Sequence, residues 1–427
     1  MKMRFLLALR RSLLCGVLVL GTAALSLAQK EDEVRGALAE PDDAAETRAQ
    51  MATVEKLLPT YADRGAALYF LAIAHQHLGE TREAMELLKE CMALEEGFDP
   101  SESPEFAGLR KEKAFQEMVD RAAKRFPGVG NARIAMVTEA RDLIPEGLAW
   151  DAKREVFYLS SLHRRKIVEL TPDGHATDFV GAAYAAGDSD ALLPVLGIRL
   201  DPRDGSVWAN TWEEKAGGGR SQLLHVVPGQ NARTVARFSA AGPVHGFNDL
   251  VVRRTGEVLV TDSANNQVLR FDAASKSFTP LVLHRPILYP NGIALAEDEQ
   301  TVFIADALGV IHYDLATASS ADVVPGPHAT LAGVDGLYWH RGGLVAIQNG
   351  IGVSRVAYFR LAADGLHVSK VNVLEYRTAL SVLPTTGAIR GNDFYFIANS
   401  QIDNLNGDKL LDPTRLEPVR IAVVRLP

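Results

Sequence analysis

A short plan that returns six times is the strongest constraint on what this chain can fold into. From Tyr289 to Asp306 the chain reads as a polar residue, a glycine, an apolar strand, a charged turn and a second apolar strand ending in Asp306. The plan recurs at EGLAW from Glu146, LGIRL from Leu196, NDLVV from Asn248, NGIAL from Asn291, DGLYW from Asp335 and TGAIR from Thr386. These starts lie 50, 52, 43, 44 and 51 residues apart. That period predicts four-stranded β-propeller blades rather than helical solenoid repeats. Six repeats predict six blades, and hence a mainly β fold.

The repeats leave a long N-terminal part of the 427 residues unexplained. Residues 1–28 read as a signal peptide: Lys2, Arg4, Arg10 and Arg11 precede an apolar run from Leu13 to Leu20 too short to span a bilayer, and Ser26-Leu27-Ala28 is a small-residue cleavage site. Export to the periplasm or medium is expected, with Arg10-Arg11 a loose match to a twin-arginine signal. Cleavage would remove four positive charges and take the formal net charge from −8 to −12, which argues against nucleic acid or an anionic membrane as partner. Only Cys91 would remain, so no intrachain disulfide is expected, and no later stretch is apolar for long enough to cross a membrane.

Residues 29–127 are expected to form a small all-α domain. Leu68, Leu71 and Ala72, then Ala84, Leu87, Leu88 and Cys91, fall at helical spacing on either side of Gly79, and a further helix is expected from Leu109 to Phe126. The helical hairpin resembles one tetratricopeptide repeat. Such arrays need about three units to bury a continuous core, so this one is expected to lean on the propeller, either as a packing cap or as a docking site for a protein partner. His75 and Cys91 lie in the core pattern and are read as core residues.

The propeller is expected over residues 131–427. The sixth repeat supplies only three strands, so the segment near Ile134 to Thr138 is predicted to complete that blade and close the ring. Successive strands in a blade are antiparallel, so first-strand starts and second-strand ends share one end of the channel. The first set is Glu146, Leu196, Asn248, Asn291, Asp335 and Thr386, and the second is Ser160, Ser161, Asn210, Thr211, Asp262, Asp306, Asn349 and Asn399. Four of the six inner positions are Glu, Asn, Asn and Asp, and two of these are formally negative. Converging carboxylates repel unless a cation lies between them, so Glu146, Asn248, Asn291 and Asp335 are the candidate metal ligands. With no Cys or His in the set, a hard divalent ion is expected, Ca2+ first, with Mg2+, Mn2+ or Zn2+ as alternatives.

PEGLAWD from Pro145, FNDLVV from Phe247, PNGIALAEDEQTVFIAD from Pro290 and VDGLYW from Val334 resemble motifs of the gluconolactonase and senescence-marker-protein (regucalcin) family, and more distantly paraoxonases. The resemblance implies a divalent cation in the channel and hydrolysis of lactones or related esters. It assigns Glu146, Asn291 and Asp335 as metal ligands and Asn248 as a metal or substrate contact. Asp335 and Asp249 are the candidate catalytic bases; Asn248 and His163, a loop histidine on the same face, are the candidate substrate contacts. Sugar-lactone members carry an Arg two residues before the Asn-Asp pair, where this chain has Gly246. The stretch Val258 to Asp272 has the cadence of propeller repeats that bind without catalysis. The rival reading is therefore a non-catalytic binding propeller with a structural cation and a partner-docking helical domain. No nucleophile elbow, phosphate-binding glycine loop, paired Cys motif or His-Glu-x-x-His occurs, which leaves serine hydrolase, nucleotide and zinc-protease chemistry without support.

Overall fold

The computed structural model describes residues 41–181, 192–213, 219–227, 234–242, 244–407 and 409–427. The expected signal peptide lies outside the described residues. Among those residues no helix is long and apolar enough to cross a membrane.

Six antiparallel sheets form the blades, one for each sequence repeat, and a small two-stranded sheet pairs Leu405–Asn406 with Lys409–Leu410. Their first strands are Leu148–Asp151, Val195–Leu200, Phe247–Val252, Ile293–Leu295, Val334–His340 and Gly387–Arg390. Each touches the first strand of the next blade, and that of blade six touches that of blade one, so the six close a ring. Apolar side chains fill the gaps between blades. Tyr158, Ile167 and Phe179 of blade one, for example, pack on Val195, Ile198 and Leu224 of blade two.

Blade six has the mixed origin that its missing strand predicts. Arg133–Thr138 pairs antiparallel with Val419–Arg425, so the two ends of the propeller sequence meet in one sheet and hide their edges in it. A feature not expected is that Val129–Gly130 adds a fifth strand to the outer edge of blade five.

Among the described residues four α-helices precede the ring: α1 (Pro41–Leu57), α2 (Arg64–His77), α3 (Thr81–Ala93) and α4 (Lys113–Arg125). The sequence pattern does not reveal α1, whose apolar residues are too few for a stripe. Helix α4 starts later than Leu109 because Glu112 is extended and separates it from a 3₁₀ segment at Pro104–Lys111. Helices α2 and α3 form the expected hairpin, closed at its base by the Cys91 thiol donating to the Gly65 carbonyl at 3.4 Å. His75, half-buried, holds Glu80 at 2.6 Å.

The helices share one apolar core with the propeller. Leu68, Phe70, Leu71 and Phe98 pack with Leu288 and Leu308 of blade four and with Ala332 and Ile351 of blade five. Leu288 and Ala332 lie on the loops entering first strands, and Leu308 and Ile351 follow second strands. The helical unit therefore stands on the same end of the channel as the candidate residues.

Candidate functional site

In three blades the first strand is irregular at the candidate position. Its register slips between Val195 and Ile198, between Phe247 and Leu250, and between Val334 and Leu337, so Leu196, Asn248 and Asp335 fall in bulges. A bulge takes a residue out of the ladder and redirects its side chain, and bulges gather beside active sites. Glu146 and Asn291 reach the same level by another route: each precedes its strand by two residues. Two residues upstream of Glu146, Asn291 and Asp335 the backbone is left-handed, at Ile144 (φ 46°), Tyr289 (φ 50°) and Gly333 (φ 63°). For Ile144 that conformation is costly, and such strain tends to be kept where it positions something.

Neighbouring starts touch around the ring. A Cβ on Gly147 would strike the Leu196 carbonyl, one on Gly197 would meet the Asn248 carbonyl at 2.7 Å, one on Gly292 would strike the Asp335 carbonyl, and one on Gly336 would meet the Thr385 carbonyl at 2.9 Å. The Thr261 hydroxyl donates to the Asn291 carbonyl at 2.7 Å, and the Thr386 hydroxyl donates to the Glu146 carbonyl and closes the circle. Glycine follows so many of these positions because the next strand's backbone occupies the space of a side chain.

All four candidate ligands are buried, with Glu146 and Asp335 each 1% exposed and Asn248 and Asn291 each 6%. The Asn349 amide donates to Asp335 Oδ2 at 2.6 Å and to the Pro384 carbonyl at 2.9 Å. The Asn248 amide donates to the Ser263 hydroxyl at 3.1 Å, which turns its oxygen the other way. Asn210, fully buried, donates to the Asp249 carbonyl at 3.0 Å, while nothing among the described residues donates to its Oδ1. Two buried carboxylates, two amide oxygens and this undonated oxygen are a donor set that suits a hard cation and its water. Among the described residues no three His, Cys, Asp or Glu side chains gather to hold a metal; a site here would rest on the amides as much as on the carboxylates.

Asp249 has a different environment. Its Oδ2 accepts from Arg199 at 2.8 Å and its Oδ1 from the Leu250 N–H at 2.9 Å, and the Arg199 guanidinium lies 5.1 Å from the centre of the Tyr338 ring. Burial pushes the Asp249 carboxyl above its usual range despite the opposing pull of Arg199, and pushes the Tyr338 phenol up to about 12. Sequence reasoning missed Arg199 and Tyr338, which come from two other blades. The signal available was their place three residues along LGIRL and DGLYW.

Two acidic second-strand ends serve their own loops. Asp262 accepts from the Gly246 N–H at 2.8 Å and holds His245 Nδ1 at 2.6 Å. Asp306 accepts from Arg285 at 2.7 Å and from the Leu308 and Gly309 N–H groups. His163 is half-buried in the turn after the second strand of blade one, between Leu162, whose N–H donates to the Ile144 carbonyl at 3.2 Å, and Arg164, paired with Asp142. At Gly246 the indole of Trp212 lies where a side chain would go: a Cβ would meet its Cε2 and Cζ2 and the Cβ of Ala264, all at 2.9 Å.

The pattern described as the SMP-30/Gluconolactonase/LRE-like region matches residues 144–357, just over half of the chain. No curated protein matches. Among solved structures, the chain is similar to a gluconolactonase from Xanthomonas campestris (16% identity, 70% of this chain and 91% of that one, TM-score 0.46). It is also similar to the PQQ-bound aldose sugar dehydrogenase of Streptomyces coelicolor (13% identity, 70% and 99%, TM-score 0.47). A third is a luciferin-regenerating enzyme (15% identity, 70% and 92%, TM-score 0.43).

Proposed function

Since this chain belongs to the SMP-30/gluconolactonase/LRE-like family, we propose that it is a divalent-cation-dependent hydrolase of lactones or related carboxylic esters, working at the channel mouth. The observation that carries the reading is the closed ring of first-strand starts, which gathers Glu146, Asn248, Asn291 and Asp335 from four blades at one level. These four would hold the ion, Ca2+ by its fit to oxygen donors. When bound, it supplies a Lewis acid for the substrate carbonyl. Asn349 fixes the Asp335 carboxylate. Asp335 and Asp249 are the two candidate acceptors of the water's proton, and Asp249, paired with Arg199 and accepting from the Leu250 N–H, also holds the backbone beside Asn248. The Trp212 ring over Gly246 leaves no room for a guanidinium, so an apolar acyl or alkyl portion fits the mouth better than a sugar. The reading includes export by way of residues 1–28.

The test is metal analysis of the purified protein with hydrolysis of a lactone and aryl-ester panel by wild type, Glu146→Gln and Asp335→Asn. Bound cation, turnover, and a loss of at least about 100-fold in both variants are expected. Cation without turnover anywhere on the panel would leave the binding propeller with a structural ion.

A further inference from the structure

The helical unit is joined to the ring by more than apolar contact. Asp63, 3% exposed, caps α2 by accepting from the Ala66 N–H at 3.1 Å, and its other oxygen accepts from the Thr330 hydroxyl at 2.9 Å and the Leu331 N–H at 2.8 Å. Thr330, fully buried, accepts in turn from the Ala332 N–H at 2.9 Å. The Gln348 amide donates to the Thr330 carbonyl at 3.0 Å and the Ala332 carbonyl at 2.8 Å, while its oxygen accepts from Arg355 at 2.7 Å. Next in the chain is Asn349, which grips Asp335. Every side chain from Asp63 to Asp335 in this series is at most 5% exposed.

We infer that Asp63 and Thr330 are positioning residues for the channel site: the helical unit sets the loop 328–333 and the Gln348-Asn349 pair, and through them the Asp335 carboxylate. The inference rests on the reading of Asp335 as a ligand. Inside a protein a fully satisfied polar chain is stiff, because breaking any member strands its neighbours without water to replace it. Moving the cap of α2 thus shifts the Thr330 hydroxyl, releases Gln348 and loosens Asn349. Contacts of this outer kind commonly alter metal affinity by about 10–100-fold.

The test uses the full-length protein stripped of metal, with Thr330→Val and Thr330→Ser. Valine keeps the shape and loses the hydroxyl; serine keeps the hydroxyl. Calorimetric titration with Ca2+ alone is expected to show Thr330→Val weakened about tenfold or more and Thr330→Ser close to wild type. Hydrogen exchange without added cation should show the 333–337 amides less protected in Thr330→Val only. A Thr330→Val protein that melts earlier but keeps wild-type Ca2+ affinity and exchange has a merely structural threonine, and the inference is overturned. Should wild type bind none of Ca2+, Mg2+, Mn2+ and Zn2+, the functional reading fails, and exchange alone decides the coupling, with unchanged protection overturning it. If Thr330→Val does not fold, Asp63→Asn takes the same readouts.

Discussion

Over blades four and five, the loops carrying Asn291 and Asp335 are gripped from outside by the helices through buried charge. Over blades six, one and two, the approach to Glu146 rests largely on the propeller's own apolar side chains, among them Ile144, Leu162, Leu196, Trp212, Leu383 and Ile402. Polar contacts are directional and fail abruptly when one partner is lost. Apolar packing yields by degrees with the volume removed. One level of the channel is thus held by a brittle half and a compliant half, and the helices belong to the brittle one.

The largest effect should come from breaking the brittle half at its charge centre. Arg285, with a side chain only 4% exposed, pairs with Asp306 and Asp322, each at 2.7 Å, and donates to the Tyr61 hydroxyl of the helical unit at 3.1 Å. Arg285→Ala leaves the Asp306 carboxylate buried against no cation and should cost about 3–5 kcal/mol, read from urea unfolding. A loss under about 1 kcal/mol would mean the helices are held mainly by their apolar core, and the contrast between the halves would dissolve.

The compliant half is sharpened at Gly246. Gly246→Ala forces a methyl against the Trp212 ring and the Ala264 methyl and should cost about 1–3 kcal/mol in wild type but less in a Trp212→Ala background, where only the Ala264 contact remains, a coupling that a double-mutant cycle isolates. Its kinetic mark should fall on the KM for ester substrates and spare cation affinity, opposite to the Thr330 variants. A Gly246→Ala protein that loses cation instead would show Trp212 to be holding Asn248 rather than shaping the substrate's space.

The two halves also differ in how far the sequence betrays them. Blade number and ring closure through Ile134–Thr138 are legible because most blades repeat one local bargain, a glycine against neighbouring backbone and then an apolar strand, with blade three departing at Asp249. The bulges at Asn248 and Asp335 leave no mark, since they depend on the partner strand's register. Asp262 and Asp306 occupy the repeat position of Asn349, yet only the asparagine reaches a ring residue; the local text is the same and the donors nearby, His245 and Arg285, decide otherwise. Asp63 and Thr330 are 267 residues apart and belong to different folds, so no periodicity could join them. The gluconolactonase-like motifs speak for the ring and are silent about what stands over it.

The smallest expected effect separates the halves by acid. In the brittle half Asp63 is raised from 3.8 to about 6 and Glu96 from 4.5 to about 7, chiefly by burial, and for Glu96 next by the negative Asp63 across the start of α2. The hydrogen bonds from the Leu331 N–H, the Thr330 hydroxyl and the Ala66 N–H, and after them the Arg355 charge, lower Asp63 only in part against its burial. A carboxyl whose folded pKa lies above its unfolded one holds a proton in the fold that the unfolded chain has released, so it adds stability as pH falls through the folded value. From these two groups that gain develops between about pH 7 and pH 4 and is absent above it. Glu96 is partly exposed, so screening should leave its share at a few tenths of a kcal/mol, about the size of a surface pair. Because other carboxylates titrate oppositely, as Asp201 does with its value lowered to about 2, the quantity to measure is the difference between wild type and Glu96→Gln in urea midpoint at pH 7.5 and pH 5. Wild type should gain more on acidification than the variant, and hydrogen exchange should place that gain in loop 328–333 rather than around Leu196. An equal pH response in the two proteins would remove the charge at α2 from the forces that hold the helices over the channel.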